Sequence, residues 1–331
     1  MFEKAIDIVS IGDTTTDAFI RLKQANVHCK VDTNDCEICM PFGDKIPFEY
    51  VKVVRAVGNA ANASVSAARL GLRSALVTNL GSDDNGKECM KELLKNKVIT
   101  SLIKTHKGKP TNYHFVLWYD VDRTILVNHV EYSYSLPKMP APKWIYLTSL
   151  GGNTFPYHMQ IADYLEANPK VKLAFQPGTF QMNLGTTELK RIYEKTEVFF
   201  SNVEEAQRIL KTDTHDPKLL MQGLSKLGTK IIVITDNTNG AYMHDGDHNY
   251  HVPMYPDPRP AFERTGCGDA FASTFISAMA YGKSPLEALI WAPVNPMSVA
   301  QFIGAQEGLL TMDQLDWWLK RAPSEYKVKE I

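Results

Sequence analysis

No stretch of this sequence reaches the roughly 18 uncharged apolar residues that a membrane-spanning helix needs, which argues against a membrane partner. The first residues, Met1-Phe2-Glu3-Lys4-Ala5-Ile6-Asp7, carry acids where a secretion signal needs an apolar run, so no such signal is expected. An excess of charge of one sign is also missing. With 36 Lys and Arg against 37 Asp and Glu, the net charge is -1. Neither a basic surface for nucleic acid nor an acidic solvating tail is expected. Internal repeats and low-complexity tracts are absent too. Cysteine is scarce and odd in number. Five in a chain of 331 residues, with no secretion signal, imply reduced thiols and a cytoplasmic setting. Three of them, Cys29, Cys36 and Cys39, lie near His28 and carry part of a zinc-binding pattern, but the second ligand pair is incomplete. A metal site and free thiols on a surface hairpin are both open readings.

What is present is the composition of an ordinary globular protein, 44% hydrophobic and 22% charged. Ile6 to Gly12 is a short apolar run closed by glycine and reads as a buried first strand. Strand patterns recur at Ser74 to Asn79, Trp144 to Thr148, Val171 to Phe175, Val198 to Ser201 and Ile231 to Thr235. Helical patterns lie at Gly58 to Leu70, Asn85 to Lys95, Val203 to Leu210 and Pro217 to Leu227. This alternation predicts an α/β domain with a central, mostly parallel sheet covered by helices on both faces. Two segments, about 18–54 and 111–135, break the alternation. The second carries hairpin patterning, Tyr113 to Tyr119 and Thr124 to Val130, around a turn at Asp120 to Arg123. Together they are expected to form a small β-sheet standing off the body as a lid, within one domain spanning 1–331.

Three motifs carry chemistry. In Arg264-Thr265-Gly266-Cys267-Gly268-Asp269, two glycines bracket a small residue and an Asp opens a helix. Backbone N–H groups at such a helix start form an anion nest, and Asp269 is placed to take a proton from an attacking hydroxyl. An equally open reading is a first-turn acid favoured by the helix dipole. Gly58-Asn59-Ala60-Ala61-Asn62 enters a helix with two amides that could bind a polyol or simply cap the helix. Gly12-Asp13-Thr14-Thr15-Thr16-Asp17 follows the first strand. Ligands of parallel sheets bind beyond strand C-termini, although a turn-forming Asp is the commoner reading of such a loop.

In order and spacing these motifs resemble the ribokinase/PfkB family of carbohydrate kinases, over almost the whole chain. Leu80-Gly81-Ser82-Asp83-Asp84-Asn85-Gly86, Asn202-Val203-Glu204-Glu205 and Gly304-Ala305-Gln306 are similar to further family motifs. The resemblance implies a ribokinase-like fold and a kinase that phosphorylates a sugar hydroxymethyl group with ATP and magnesium. It implies Asp269 as general base, and Gly266, Cys267 and Gly268 as an anion hole. Asp13, Asp17, Gly58, Asn59 and Asn62 would bind substrate. Asn202, Thr235, Gly240, Gly266, Gly268 and Asn295 would bind nucleotide, with Asn202 and Glu205 organising magnesium through water. The sequence departs from the family's pattern at Val57, Asn237, Glu263, Cys267 and Gln176-Pro177-Gly178. Glu263 stands where an Asp helps hold potassium in ribokinase-like members, so a monovalent cation is an open element.

Within the same resemblance a nucleoside kinase is an alternative, with Phe42, Phe115, Trp118 and Tyr119 of the lid as candidates for an apolar slot. A non-catalytic sugar-binding regulator is a second alternative, disfavoured by the retained base. A lid edge strand could pair with another subunit to give a homodimer.

Overall fold

The computed structural model describes residues 5–29, 36–119 and 122–331, apart from the side chains of Cys29, Cys36 and Asp122. The main sheet runs, edge to edge, through Lys329–Glu330, Asn249–Val252, Ala241–His244, Ile231–Thr235, Thr196–Asn202, Lys172–Phe175, Trp144–Leu147, Ile8–Ile11 and Ser74–Val77. From Ile231–Thr235 to Ser74–Val77 every pairing is parallel. The other edge is antiparallel.

The parallel strands read as unbroken apolar runs because both of their faces are buried. Successive residues go to opposite cores. Ile8, Val233 and Ile231 pack with Phe271, Phe275 and Leu289 on one side. Val9, Ile232 and Ile234 pack with Ile161, Tyr193 and Leu224 on the other. Among the described residues no helix is long and apolar enough to cross a membrane.

A second sheet has the order Asp122–Leu126, Asn112–Tyr119, Thr15–Leu22 and Phe48–Val57. It begins three residues earlier than the sequence pattern suggested, since Thr15 already pairs with Val57 and Asn112. The Thr124 to Val130 strand is corrected to Asp122–Leu126, and residues 127–135 return to the body without strand structure. Part of the expected turn, residues 120–121, lies outside the described residues. Asn26–Cys29 and Cys36–Cys39 form their own two-stranded hairpin. The proposed Cys29, Cys36 and Cys39 metal cluster depends on side chains outside the described residues; Cys39 is a free, half-buried thiol.

Two devices fix the second sheet to the body. Asp83 caps the Asp84–Lys95 helix through the Gly86 N–H and accepts both the N–H and the hydroxyl of Thr111, which leads into the Asn112–Tyr119 strand. This gives the Gly81-to-Gly86 motif a structural role at the lid's base. On the other side Lys52 pairs with Glu307 at 2.5 Å, and Trp118 meets Phe262 edge-on.

Candidate active site

Between the two sheets lies a cavity of roughly 630 Å³, lined by Asp17, Gly58, Asn59, Asn62, Asn202, Glu205, Thr235, Gly266, Gly268 and Asp269. A second cavity, roughly 380 Å³, is lined by Thr235, Gly240, Cys267, Gly268 and Met297 among others. The two share Asn202, Thr235 and Gly268, so they meet at the start of the Cys267–Ala280 helix.

That helix start is built to stay open. Gly266 has φ 81°, a left-handed value that glycine adopts readily, and an added Cβ would sit 2.2 Å from the Ala305 Cβ. No side chain caps the helix, leaving backbone donors for an anion. One of the three expected donors is partly taken: the Cys267 N–H donates to the Arg264 carbonyl at 3.4 Å.

Asp269 is buried in the first helical turn. Asn59 donates an amide N–H to its Oδ1 and Asn62 to its Oδ2, each at 2.7 Å. Burial raises the carboxyl's pKa, and these two amides together with Arg123 oppose the rise. The structure thus turns both Asn amide nitrogens to the carboxylate. The Asn62 amide is engaged at both ends, since its Oδ1 accepts from Gln306 at 3.0 Å.

Gly58 joins the lid to the Asn59–Arg69 helix. Its φ is 103°, and a Cβ there would lie 2.6 Å from the Asp13 carbonyl. Asp17 lines the cavity at 8% exposure, and among the described residues no donor satisfies its Oδ1. His114, its neighbour in register across the parallel pair, brings Nδ1 to 3.4 Å from that oxygen.

Asp13 and Asn295 are placed differently from the sequence expectation. Asp13 lines neither cavity. Its carboxyl is buried behind the wall, accepting the Tyr134 hydroxyl at 2.8 and 2.9 Å and the Gly151 N–H at 2.8 Å. Asn295 is also buried and lines neither cavity. It donates to Thr274 and Ser66 and accepts from the Leu310 N–H, so it pins the C-terminal helices. The apolar slot differs too. Phe42 and Phe115 are exposed, Trp118 is buried, and neither they nor Tyr119 line the cavity. Ile125, Val127, Phe180, His114 and His129 line it instead. Gln176, noted in the sequence only as a departure from the family's pattern, lines the cavity and accepts the Tyr146 hydroxyl at 2.6 Å; sequence reasoning missed Arg123. Asn237 departs from a common glycine yet has φ 46°, a left-handed conformation that Asn tolerates.

The profile of the pfkB family carbohydrate kinase matches residues 52–309. The chain belongs to the pfkB family of carbohydrate kinases. It is 24% identical over 68% of its length to an ATP-dependent 6-phosphofructokinase of Thermoanaerobacterium thermosaccharolyticum, covering 72% of that protein. It is 25% identical over 77% of its length to a nucleoside kinase of Methanothermobacter thermautotrophicus, covering 80% of it. Arabidopsis thaliana ribokinase, solved with ribose and ATP, superposes with a TM-score of 0.78 at 19% identity, covering 96% of this chain and 99% of that one.

In this kinase Asn202 and Glu205 cap the Val203–Leu210 helix reciprocally, at 2.7 and 3.0 Å. Glu205 uses only Oε2 in the cap. Burial raises its pKa, with Asp269 adding to the rise, so a cation arriving in the cavity would be favoured there. The oxygen donor set suits magnesium. Glu263 is buried and accepts the N–H and hydroxyl of Thr265 and the N–H of Gly304, while Arg123 faces it at 3.8 Å.

Two predictions arise here. Burial pushes the Cys267 thiol up to about 12, with nearby Glu263 adding to the rise. The helix dipole, which would favour a thiolate, is outweighed. The kinase should therefore keep activity under brief iodoacetamide treatment at neutral pH, with Cys267 unmodified by mass spectrometry. Rapid loss of activity with Cys267 labelling would contradict this.

The second concerns Asp13, which burial raises to about 6. A carboxyl with a raised folded-state pKa contributes stability below its unfolded value and loses it as pH rises through the folded one. Asp13→Asn can keep both hydrogen-bond partners. Relative to the parent it should gain on the order of 2–3 kcal/mol at about pH 8 compared with about pH 4. Denaturant midpoints at the two pH values measure this, and a pH-independent difference would contradict it.

Proposed function

We propose that this kinase transfers the γ-phosphoryl group of ATP to a hydroxymethyl group of a sugar, with Asp269 as general base. The observation that carries the reading is the junction of two cavities at an uncapped, glycine-flanked helix start, with a buried carboxylate in its first turn. ATP would lie in the smaller cavity, along Thr235 and Gly240, with its phosphates reaching the Gly266 and Gly268 amides. The sugar would lie in the larger one, where the Asp17 carboxylate would accept from its hydroxyls. Asn59 and Asn62 then serve chiefly to hold Asp269 ionised and aimed, so that it can accept the hydroxymethyl proton.

The amides of the helix start, and Arg123 from the lid, face the charge that moves from ATP to the acceptor. Asn202 and Glu205 would hold magnesium through its waters, and the ion supplies charge neutralisation across the phosphates when bound. Glu263 is already matched by three donors and Arg123, so no step is routed through a monovalent cation. The lid excludes water, which competes as phosphoryl acceptor.

A nucleoside is the second acceptor class, favoured by one observation. Phe180, Ile125 and Val127 line the acceptor end, and His129 meets Phe180 edge-on at 5.5 Å. That wall suits a planar ring beside the sugar. ADP formation from ATP, measured against a panel of pentoses, hexoses, hexose phosphates and nucleosides, separates the two classes. Turnover only with nucleosides would replace the sugar reading, and binding of acceptor without turnover would support a regulator instead.

A further inference from the structure

Gln306 is buried, 6% exposed, and lines neither cavity. Its amide nitrogen makes two contacts. It donates to the Ala56 carbonyl at 2.7 Å and to the Asn62 Oδ1 at 3.0 Å. Both acceptors are consequential. An Asn amide can present either its oxygen or its nitrogen on a given side. A donor fixed on one side of Asn62 forces oxygen toward Gln306 and nitrogen toward Asp269, which is the arrangement observed at 2.7 Å. The flipped amide would set oxygen against the carboxylate and repel it.

Ala56 is the other end of the link. It lies two residues before Gly58, where the last lid strand enters the Asn59–Arg69 helix, and it holds φ 56°. Left-handed values are unfavourable for alanine, so this conformation persists only because its surroundings impose it. Two bonds do so: the Ala56 N–H donates to the Cys89 Sγ at 3.3 Å, and its carbonyl accepts from Gln306. Gln306 is itself anchored, since Arg69 donates to its carbonyl at 2.7 Å and to that of Leu309 at 3.1 Å. The same loop touches the rest of the site. Ala305 packs on Gly266, and Gly304 lies against Val54 and Phe19 of the lid.

We propose that Gln306 is a positioning residue that holds Asn62 in the orientation serving Asp269 and ties that orientation to the lid hinge at Ala56. The inference rests on the reading of Asp269 as base. A hinge that moves away from Gln306 releases the Asn62 amide, so the base is fully aimed only when the hinge is seated. Burial raises the Asp269 pKa and the Asn62 amide lowers it. Losing Gln306 therefore moves the acid limb of activity toward higher pH. The other groups facing Asp269 are Arg123 from the lid, Glu205 and Tyr146, and Gln306 substitutions leave them in place.

The test uses the full chain with ATP, magnesium and its best acceptor. Gln306→Met keeps the bulk and removes both donors. It should lower kcat about tenfold, leave the KM for ATP unchanged and shift the acid limb upward. Gln306→Glu keeps the shape but cannot donate to both acceptors. It should lower kcat as well, and carries the test if the Met variant is poorly folded. In an Asn62→Ala background, Gln306→Met should have no further effect on kcat, because residues acting as one unit are non-additive. Full kcat in both Gln306 variants, or losses that multiply with that of Asn62→Ala, would overturn the proposal. If Asp269→Asn keeps its turnover, the reading of the base fails instead, whatever the Gln306 variants do.

Discussion

Replacing Asp269 by Asn should lower kcat by a factor on the order of 10² or more, the usual range for loss of a general base. The KM values for ATP and acceptor should change little. The substitution keeps the side chain's size in a buried position, so folding is preserved. It removes the proton acceptor, and it also sets an NH₂ group against an amide that at present donates to the carboxylate, Asn59 or Asn62. Steady-state kinetics on the purified variant, with denaturation as a fold control, measures the effect. Near-normal turnover in a folded variant would remove Asp269 from the chemistry.

The second large effect is expected at Asp17. Among the described residues its buried Oδ1 has no hydrogen-bond donor, and the Asp17 side chain lines the larger cavity, where the proposed acceptor would lie. A buried carboxylate short of donors is costly, and acceptor hydroxyls reaching the group from the cavity would offset that cost. Asp17→Ala should raise the acceptor KM roughly 100-fold, the size expected for one or two charge-assisted hydrogen bonds. The KM for ATP should stay the same, since Asp17 does not line the smaller cavity. An unaltered acceptor KM would show that the acceptor lies elsewhere, and a parallel rise in the KM for ATP would point to a general loss of lid geometry.

Much of this arrangement was legible in the sequence, for a physical reason. Strands buried on both faces, such as Ile231–Thr235, read as unbroken apolar runs, and some helices between them, such as Val203–Leu210, carry their own caps. The antiparallel edge was not legible. Ala241–His244 and Asn249–Val252 are four residues each and only partly buried, so their composition resembles that of loops. Motif spacing named Asp17, Asn202, Glu205, Thr235 and Asp269, and the fold brings all five to one cavity. Asn295 and Asp13, also named by it, do not line either cavity, and an Asn or Asp satisfied inside the protein looks the same in sequence as one facing a ligand.

His114, Arg123 and His129 were missed for a different reason. Their place in the site depends on register and on where the lid lies. His114 meets Asp17 only because the Thr15–Leu22 and Asn112–Tyr119 strands pair in parallel with those two residues opposite each other. No local pattern encodes that pairing. A histidine inside a hairpin-like run, facing a segment already suspected of binding, was the available signal. Gln306 is a similar case: its motif was visible, but its reach to Ala56 and Asn62 spans about 250 residues of sequence.

The most direct measurement is of the product. The kinase is incubated with magnesium, ATP and the acceptor that gives the highest turnover, and ³¹P NMR follows the γ-phosphoryl group. The account predicts a new phosphomonoester on the acceptor's hydroxymethyl carbon, formed one for one with ADP, with little inorganic phosphate and with formation strongly reduced in Asp269→Asn. ADP appearing with inorganic phosphate and no ester, or an ester formed equally fast by Asp269→Asn, would contradict it.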